Sequence, residues 1–181
     1  KFFSQSILIP LLIKISKLSE RCLVQCCSIF SNIVKDKDCC FIMYKNNVSK
    51  IIFKHFDSEF YELVSLLMEN TNLTLNQDQF EIVINYLSQF NSNISSTDTT
   101  YLLQIILRCF EKDENPICDL EFKNIIPVIT TYSSNPTIVQ LSARLLAYSD
   151  GYKQSTELLF VLLDSLKYNM DIFDTVYVCS I

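Results

Sequence analysis

Glycine occurs once in the 181 residues, at Gly151, histidine once, at His55, and tryptophan not at all. One glycine argues against hairpin-rich all-β folds, whose tight turns need positive φ. It also excludes a Gly-rich phosphate loop and a dinucleotide fingerprint, since neither can be written around Gly151 alone. One histidine leaves little for zinc, which takes Cys and His in closely spaced pairs; the chain contains no CxxC. Arginine is sparse, at Arg21, Arg108 and Arg144, and the net charge is −5 with lysines scattered. That balance weighs against nucleic acid, because phosphate binding needs clustered Lys and Arg. No apolar run approaches the ~18 residues of a membrane span. The run Ile7-Leu8-Ile9-Pro10-Leu11-Leu12-Ile13 is broken by Lys14 and Lys17 and lacks a cleavage site, so it is expected to be a buried helix and not a signal peptide.

What is present is apolar surface. Hydrophobic residues make up 49% of the chain and charged residues 19%, enough to build a core and to exclude disorder. The eight cysteines, Cys22, Cys26, Cys27, Cys39, Cys40, Cys109, Cys118 and Cys179, sit in a chain too core-rich for a stapled miniprotein. They are expected to be small buried hydrophobes carrying free thiols in an intracellular, cytoplasmic setting. The sequons at Asn47, Asn72 and Asn93 are then chance products of an Asn- and Ser-rich sequence. The chain starts at Lys1 and ends on the apolar stretch 176–181, so it is expected to be part of a longer one.

Helical periodicity runs throughout. Leu23, Cys26, Cys27, Phe30, Ile33 and Val34 follow the i, i+3, i+4, i+7 rule, as do Leu63, Leu66, Leu67 and Asn70. Leu102, Leu103, Ile106, Cys109 and Phe110 repeat it, and so do Ile138, Leu141, Leu145 and Tyr148. Each run follows a residue whose side-chain oxygen can cap a helix: Ser19, Asp57, Ser96, Asn135 and Asn169. These stand 38, 39, 39 and 34 residues apart. Pro136 suits the first helical position after Asn135. Pro10 and Pro127, in Ile9-Pro10-Leu11 and Ile126-Pro127-Val128, are each expected to open an apolar helix just upstream of a capped one. Their separation of 117 is three times 39. A period near 39 lies between the helical repeats of about 34 residues and the armadillo and HEAT class at about 40–47.

The segment Ser28-Ile29-Phe30-Ser31-Asn32-Ile33-Val34, then 36–43, then Asn46-Asn47-Val48, resembles an armadillo repeat junction. In that family a long third helix ends in a small-Asn-Leu-like signature, here Ser31-Asn32-Ile33. A short first helix, a glycine turn and a second helix follow, and Asn46 or Asn47 stands in for the glycine. Residues 115–147 look like a second copy, with Pro116 to Lys123 as the short helix. The resemblance implies an all-α, right-handed solenoid of about four and a half armadillo/HEAT-like units, approximately 6–35, 36–71, 72–113, 114–150 and 152–181. The third unit departs from the pattern, since Asn72 to Gln79 shows no short first helix. One such unit cannot bury its apolar faces alone, so stacking would make a continuous core and a concave face. HEAT-like packing, a globular regulatory bundle and a helical domain of an enzyme are the alternatives.

Catalysis has little support. His55 is placed by its surroundings at a helix end, where it can simply meet terminal carbonyls. Asp36, Asp38, Glu111, Asp113, Glu114 and Asp119 fall in junctions, where charge usually means a solvated turn. No catalytic, cofactor or metal residue is assigned, and no cofactor is expected. The resemblance instead implies a non-enzymatic scaffold or complex subunit, with a protein segment or neighbouring subunit lying along third helices. The polar residues on their non-core faces are Gln25, Asn32, Glu62, Glu69, Tyr101, Gln104, Arg108, Gln140, Arg144 and Tyr148. Amides and Arg can satisfy a peptide backbone, and Tyr adds rigid contact area. Ordinary solvated helix faces would carry the same residues. The Trp–Asn ladders of nuclear-import adaptors in this family have no counterpart here.

Overall fold

A computed structural model describes residues 2–88, 94–112, 126–132 and 134–146. Those residues are helices and their connections, with no strand among them. The chain divides into two compact units, Lys1–Thr74 and Leu75–Ile181. The division falls in a non-helical stretch at 71–76.

In the first unit, α1 (Phe2–Ser16) carries Pro10 in its interior. Pro10 therefore does not open a helix as expected; the apolar residues before it continue the helix in spite of the missing N–H. Nor is the run 7–13 wholly buried. Ile9, Leu12 and Ile13 are in the core, whereas Ile7 is 61% and Leu11 50% exposed. A helix apolar on all sides has no sequence signal for which side is covered. α2 (Glu20–Ile33) behaves as its periodicity predicts: Ser19 accepts the Cys22 N–H, and Leu23, Cys26, Cys27 and Phe30 are buried. Asp36 then caps α3 (Lys37–Lys45) through the N–H groups of Asp38 and Cys39. α3 buries Cys39, Cys40 and Met43.

The turn into α4 (Val48–Ile52) is made by Asn47, at φ 55° and ψ 40°. It is the one non-glycine residue with positive φ among those described. Asn tolerates the left-handed region because its short polar side chain can bond locally. Of the two candidates, Asn47 is thus the turn residue. Asn46 ends α3, its Nδ2 donating to the Ile42 carbonyl at 2.8 Å. Beyond α4, Phe53 stacks on Phe56 at 4.7 Å and Phe56 meets Tyr61 at 5.2 Å. Asp57 accepts the Glu59 N–H and starts a 3-10 turn, Ser58–Phe60, which runs into α5 (Tyr61–Asn70). α5 turns most of its residues into the core. It buries Tyr61, Leu63, Val64, Ser65, Leu67 and Met68, and it packs on α2 and α3. A side chain the size of Phe30 or Phe60, both fully buried, contributes about 1.5–3 kcal/mol.

In the second unit, Asn76 and Gln79 form a reciprocal cap. The Gln79 N–H donates to Asn76 Oδ1 at 2.9 Å, and the Asn76 N–H to Gln79 Oε1 at 3.1 Å. They start α6 (Gln77–Ser88), which buries Phe80, Val83 and Leu87. No short helix precedes it, as the sequence predicts for 72–79. The cap of α7 (Ser96–Lys112) is Ser95, not Ser96. Ser95 Oγ accepts the Asp98 N–H at 3.0 Å and donates to Asp98 Oδ2 at 2.7 Å. α8 (Ile126–Thr131) carries Pro127 in its first turn. α9 (Pro136–Leu146) is capped by Asn135, whose Oδ1 accepts the N–H groups of Thr137 and Ile138. α7 packs against α6 and α9, and α8 against α9. Thr99, Leu102, Leu103, Ile105 and Ile106 of α7 and Ile138, Val139 and Ser142 of α9 are inaccessible to solvent. Phe80 and Phe110 meet edge-on at 5.7 Å. The Tyr132 hydroxyl donates to the Ile94 carbonyl, tying the end of α8 to the turn before α7.

The caps as they stand, Ser19, Asp57, Ser95 and Asn135, lie 38, 38 and 40 residues apart. Asn169, the expected short helix 116–123 and the whole expected unit 152–181 lie outside the described residues.

Candidate functional site

The expected partner-binding residues separate into groups. On α2, Gln25 and Asn32 are exposed, and Asn32 Nδ2 donates to the Ser28 carbonyl at 2.8 Å. On α5, Glu69 is exposed and Glu62 is half-buried, 3.8 Å from Lys35 Nζ. Tyr101, Gln104 and Arg108 share one side of α7 at helical spacing, all partly exposed. Gln140 and Arg144 do the same on α9. Tyr148 lies outside the described residues.

The α7 and α9 groups belong together. Asn135 and Thr137, at the start of α9, line an open depression with Ser96, Thr97, Thr100, Tyr101 and Gln104 from the start of α7. Its volume is about 360 Å³. At the other end Arg144 of α9 forms an ion pair with Glu111 of α7. Start meets start and end meets end, so the two helices run side by side in the same direction. The result is a polar strip of hydroxyls and amides leading toward Arg108 and the Arg144–Glu111 pair. The apolar sides of both helices are turned into the core, which leaves the strip as their accessible side. Glu111, which the sequence places in a solvated junction, stands in the last turn of α7. It pairs with a residue 33 positions away, and no local periodicity reports that.

His55 does meet a carboxylate. Its Nδ1 lies 3.8 Å from Glu20 Oε1, with the side chains 49% and 78% exposed. That separation is beyond a hydrogen bond. His55 follows α4 in the turn, its N–H bonded to the Ile52 carbonyl. Both residues line a pocket of about 260 Å³ with Ser16, Lys17, Ser19, Leu23, Ile51 and Lys54. Asp36, Asp38 and Glu111 do not line it, and Asp113, Glu114 and Asp119 lie outside the described residues.

Among the described cysteines Cys26, Cys27, Cys39 and Cys40 are buried, and Cys22 and Cys109 are partly exposed. Burial pushes the Cys27 thiol up to about 12, reinforced by Cys26, Asp57 and Glu59. Burial likewise pushes Cys40 up to about 11, with Cys39 and Asp36 adding, although a hydrogen bond from its own backbone N–H acts the other way. Separately, Cys40 Sγ donates to the Val34 carbonyl at 2.6 Å, which favours the protonated thiol. Cys26 and Cys39 are raised too, by burial first. Thiols held in the neutral form are poor nucleophiles and poor metal ligands. Among the described residues no group of three or more His, Cys, Asp and Glu could hold a metal ion. No helix among them is long and apolar enough to cross a membrane. In comparison with known proteins, no family model, no curated protein and no solved structure matches the chain.

Proposed function

We propose that the chain is a divergent armadillo/HEAT-like solenoid that works as a non-enzymatic scaffold, holding an extended segment of a protein partner along α7 and α9. The observation that carries this reading is the side-by-side course of those two helices, capped at Ser95 and Asn135, with the polar depression between their starts. In an array of helix triplets, third helices repeat in one direction and line the concave face. Hydroxyls, amides and Tyr101 suit a peptide backbone, and Arg108 with the Arg144–Glu111 pair suits a charged side chain of the partner. Buried neutral thiols fit a reducing, intracellular compartment. The test is affinity capture from the native source with the wild-type chain, Arg108→Glu, and the swap Glu111→Arg/Arg144→Glu. The swap keeps an ion pair between the helices while reversing the charge pattern offered to a partner. A reproducible protein partner weakened by both variants is expected. Capture unchanged by both refutes the strip as the binding surface.

A further inference from the structure

We propose that the pocket in the first unit, where α1 ends, α2 begins and the turn after α4 passes, binds a phosphate group. It is a separate site from the α7–α9 strip and does not depend on how that strip is used. Lys17 and Lys54 approach the pocket from different elements and are both exposed. In a chain of net charge −5, two lysines converging on one concavity form a local positive field. His55 adds a ring nitrogen on the same rim and Ser19 a hydroxyl, while the Ser16 O–H is already given to the Ile13 carbonyl at 2.9 Å. The backbone contributes as well. Ser19 Oγ takes the Cys22 N–H and the Ser19 carbonyl takes that of Leu23. The N–H groups of Glu20 and Arg21 are the first-turn donors this cap leaves unclaimed, at the positive end of a 14-residue helix. Glu20 is the one acidic residue lining the pocket, its Oε1 3.8 Å from His55 Nδ1. Leu23 and Ile51 supply an apolar side. The volume of about 260 Å³ is smaller than the roughly 300–1,000 Å³ of drug- and cofactor-sized sites. It suits one tetrahedral group on a short stem, with no Gly-rich loop required.

The phosphate can be free or carried on a phosphorylated side chain, and the experiment separates these sources. The full chain is titrated with inorganic phosphate and with N-acetyl-phosphoserine amide, at constant ionic strength set by chloride, while amide shifts are followed by NMR. Saturable shifts at Ser19, Glu20, Arg21 and His55 are expected. Lys17→Glu/Lys54→Glu should weaken both probes at least about tenfold, since it replaces the two positive charges at the pocket with negative ones. Both lysines are exposed, so the double variant should keep the wild-type melting curve. Glu20→Gln should tighten both probes, because it removes the one competing negative charge. Tighter binding of the phosphoserine probe supports the site with a phosphoprotein as its source; equal binding supports it with free phosphate. Non-saturable shifts for both probes, or saturable shifts unchanged by the double lysine variant, overturn the proposal.

Discussion

Raising the pH should destabilise this chain through its thiols, and the size of the effect follows from two buried cysteines. In the folded state Cys27 is pushed up to about 12 and Cys40 to about 11, against an ordinary value of 9.0. Both folded values lie above the unfolded one, so the sign is fixed. Below pH 9 both states hold the proton and stability is unaffected. Above pH 9 the unfolded chain ionises while the folded chain does not, and stability falls until the folded thiols titrate near 11 and 12. Each proton released only by the unfolded state removes about 1.4 kcal/mol per pH unit. Between pH 8 and pH 10 the loss is therefore about 1.3 kcal/mol for each thiol, or about 2.6 kcal/mol for the pair. Urea denaturation of the wild type and of Cys27→Ala/Cys40→Ala at both pH values measures it. The variant starts less stable, because each truncation leaves a cavity, but the pH 8-to-10 difference isolates the linkage. That difference should shrink by about 2.6 kcal/mol in the variant. An equal pH dependence in both proteins would mean that these thiols ionise as readily folded as unfolded, and would refute the burial argument.

Asn47→Val should cost about 1–2 kcal/mol in chemical denaturation, since a β-branched residue resists φ 55°, while Asn47→Gly should be close to neutral. Ser95→Ala should cost about 1 kcal/mol and Ser96→Ala much less, because Ser95 accepts the Asp98 N–H; equal costs would return the cap to Ser96. Ser142 is fully buried and its Oγ has no hydrogen-bond partner. Ser142→Ala should therefore raise the Tm, because an unsatisfied buried hydroxyl costs about 1–3 kcal/mol. Pro10→Ala should also raise the Tm, by returning an N–H to the interior of α1.

The helices were legible wherever a polar cap preceded a one-sided apolar pattern. Ser19 with α2, Asp57 with α5 and Asn135 with α9 are of this kind. The slip at α7 has a local cause: Ser95 and Ser96 are adjacent, and a cap rule that counts hydroxyls cannot choose between them. Asp98, three residues after Ser95, is the signal that does choose, as a reciprocal cap. Pro10 misled for the opposite reason. Proline ordinarily opens or breaks a helix, yet Ile9 and Leu12 are buried on either side of it and α1 runs through. The candidate sites were less legible. Glu111 with Arg144, Glu20 with His55, and Tyr132 with Ile94 each join residues more than thirty positions apart, and period-3.6 reasoning reports only neighbours on one helix.

The scarcity of glycine has a structural answer in the same helices. A helix normally ends on a glycine whose backbone turns left-handed and satisfies the last carbonyls. With none available in the first unit, Asn47 takes the left-handed place after α3, and side chains add second bonds to carbonyls of the last turns that already accept a backbone N–H. Asn32, Asn46 and Asn70 donate through Nδ2 to the carbonyls of Ser28, Ile42 and Leu66, each four residues back, and Thr71 Oγ1 donates to Leu67. The four side chains therefore reinforce the last turns of α2, α3 and α5 by one repeated device. Asn32, which the sequence offers as a partner-binding residue, has a local structural use for its amide. Asn32→Asp would remove that donor and set a negative charge against the last carbonyls of α2, where the helix dipole opposes it. A stability loss from this variant with partner capture intact would assign Asn32 to helix termination. The binding reading would then rest on α7 and α9, where Tyr101, Gln104 and Thr137 line the depression.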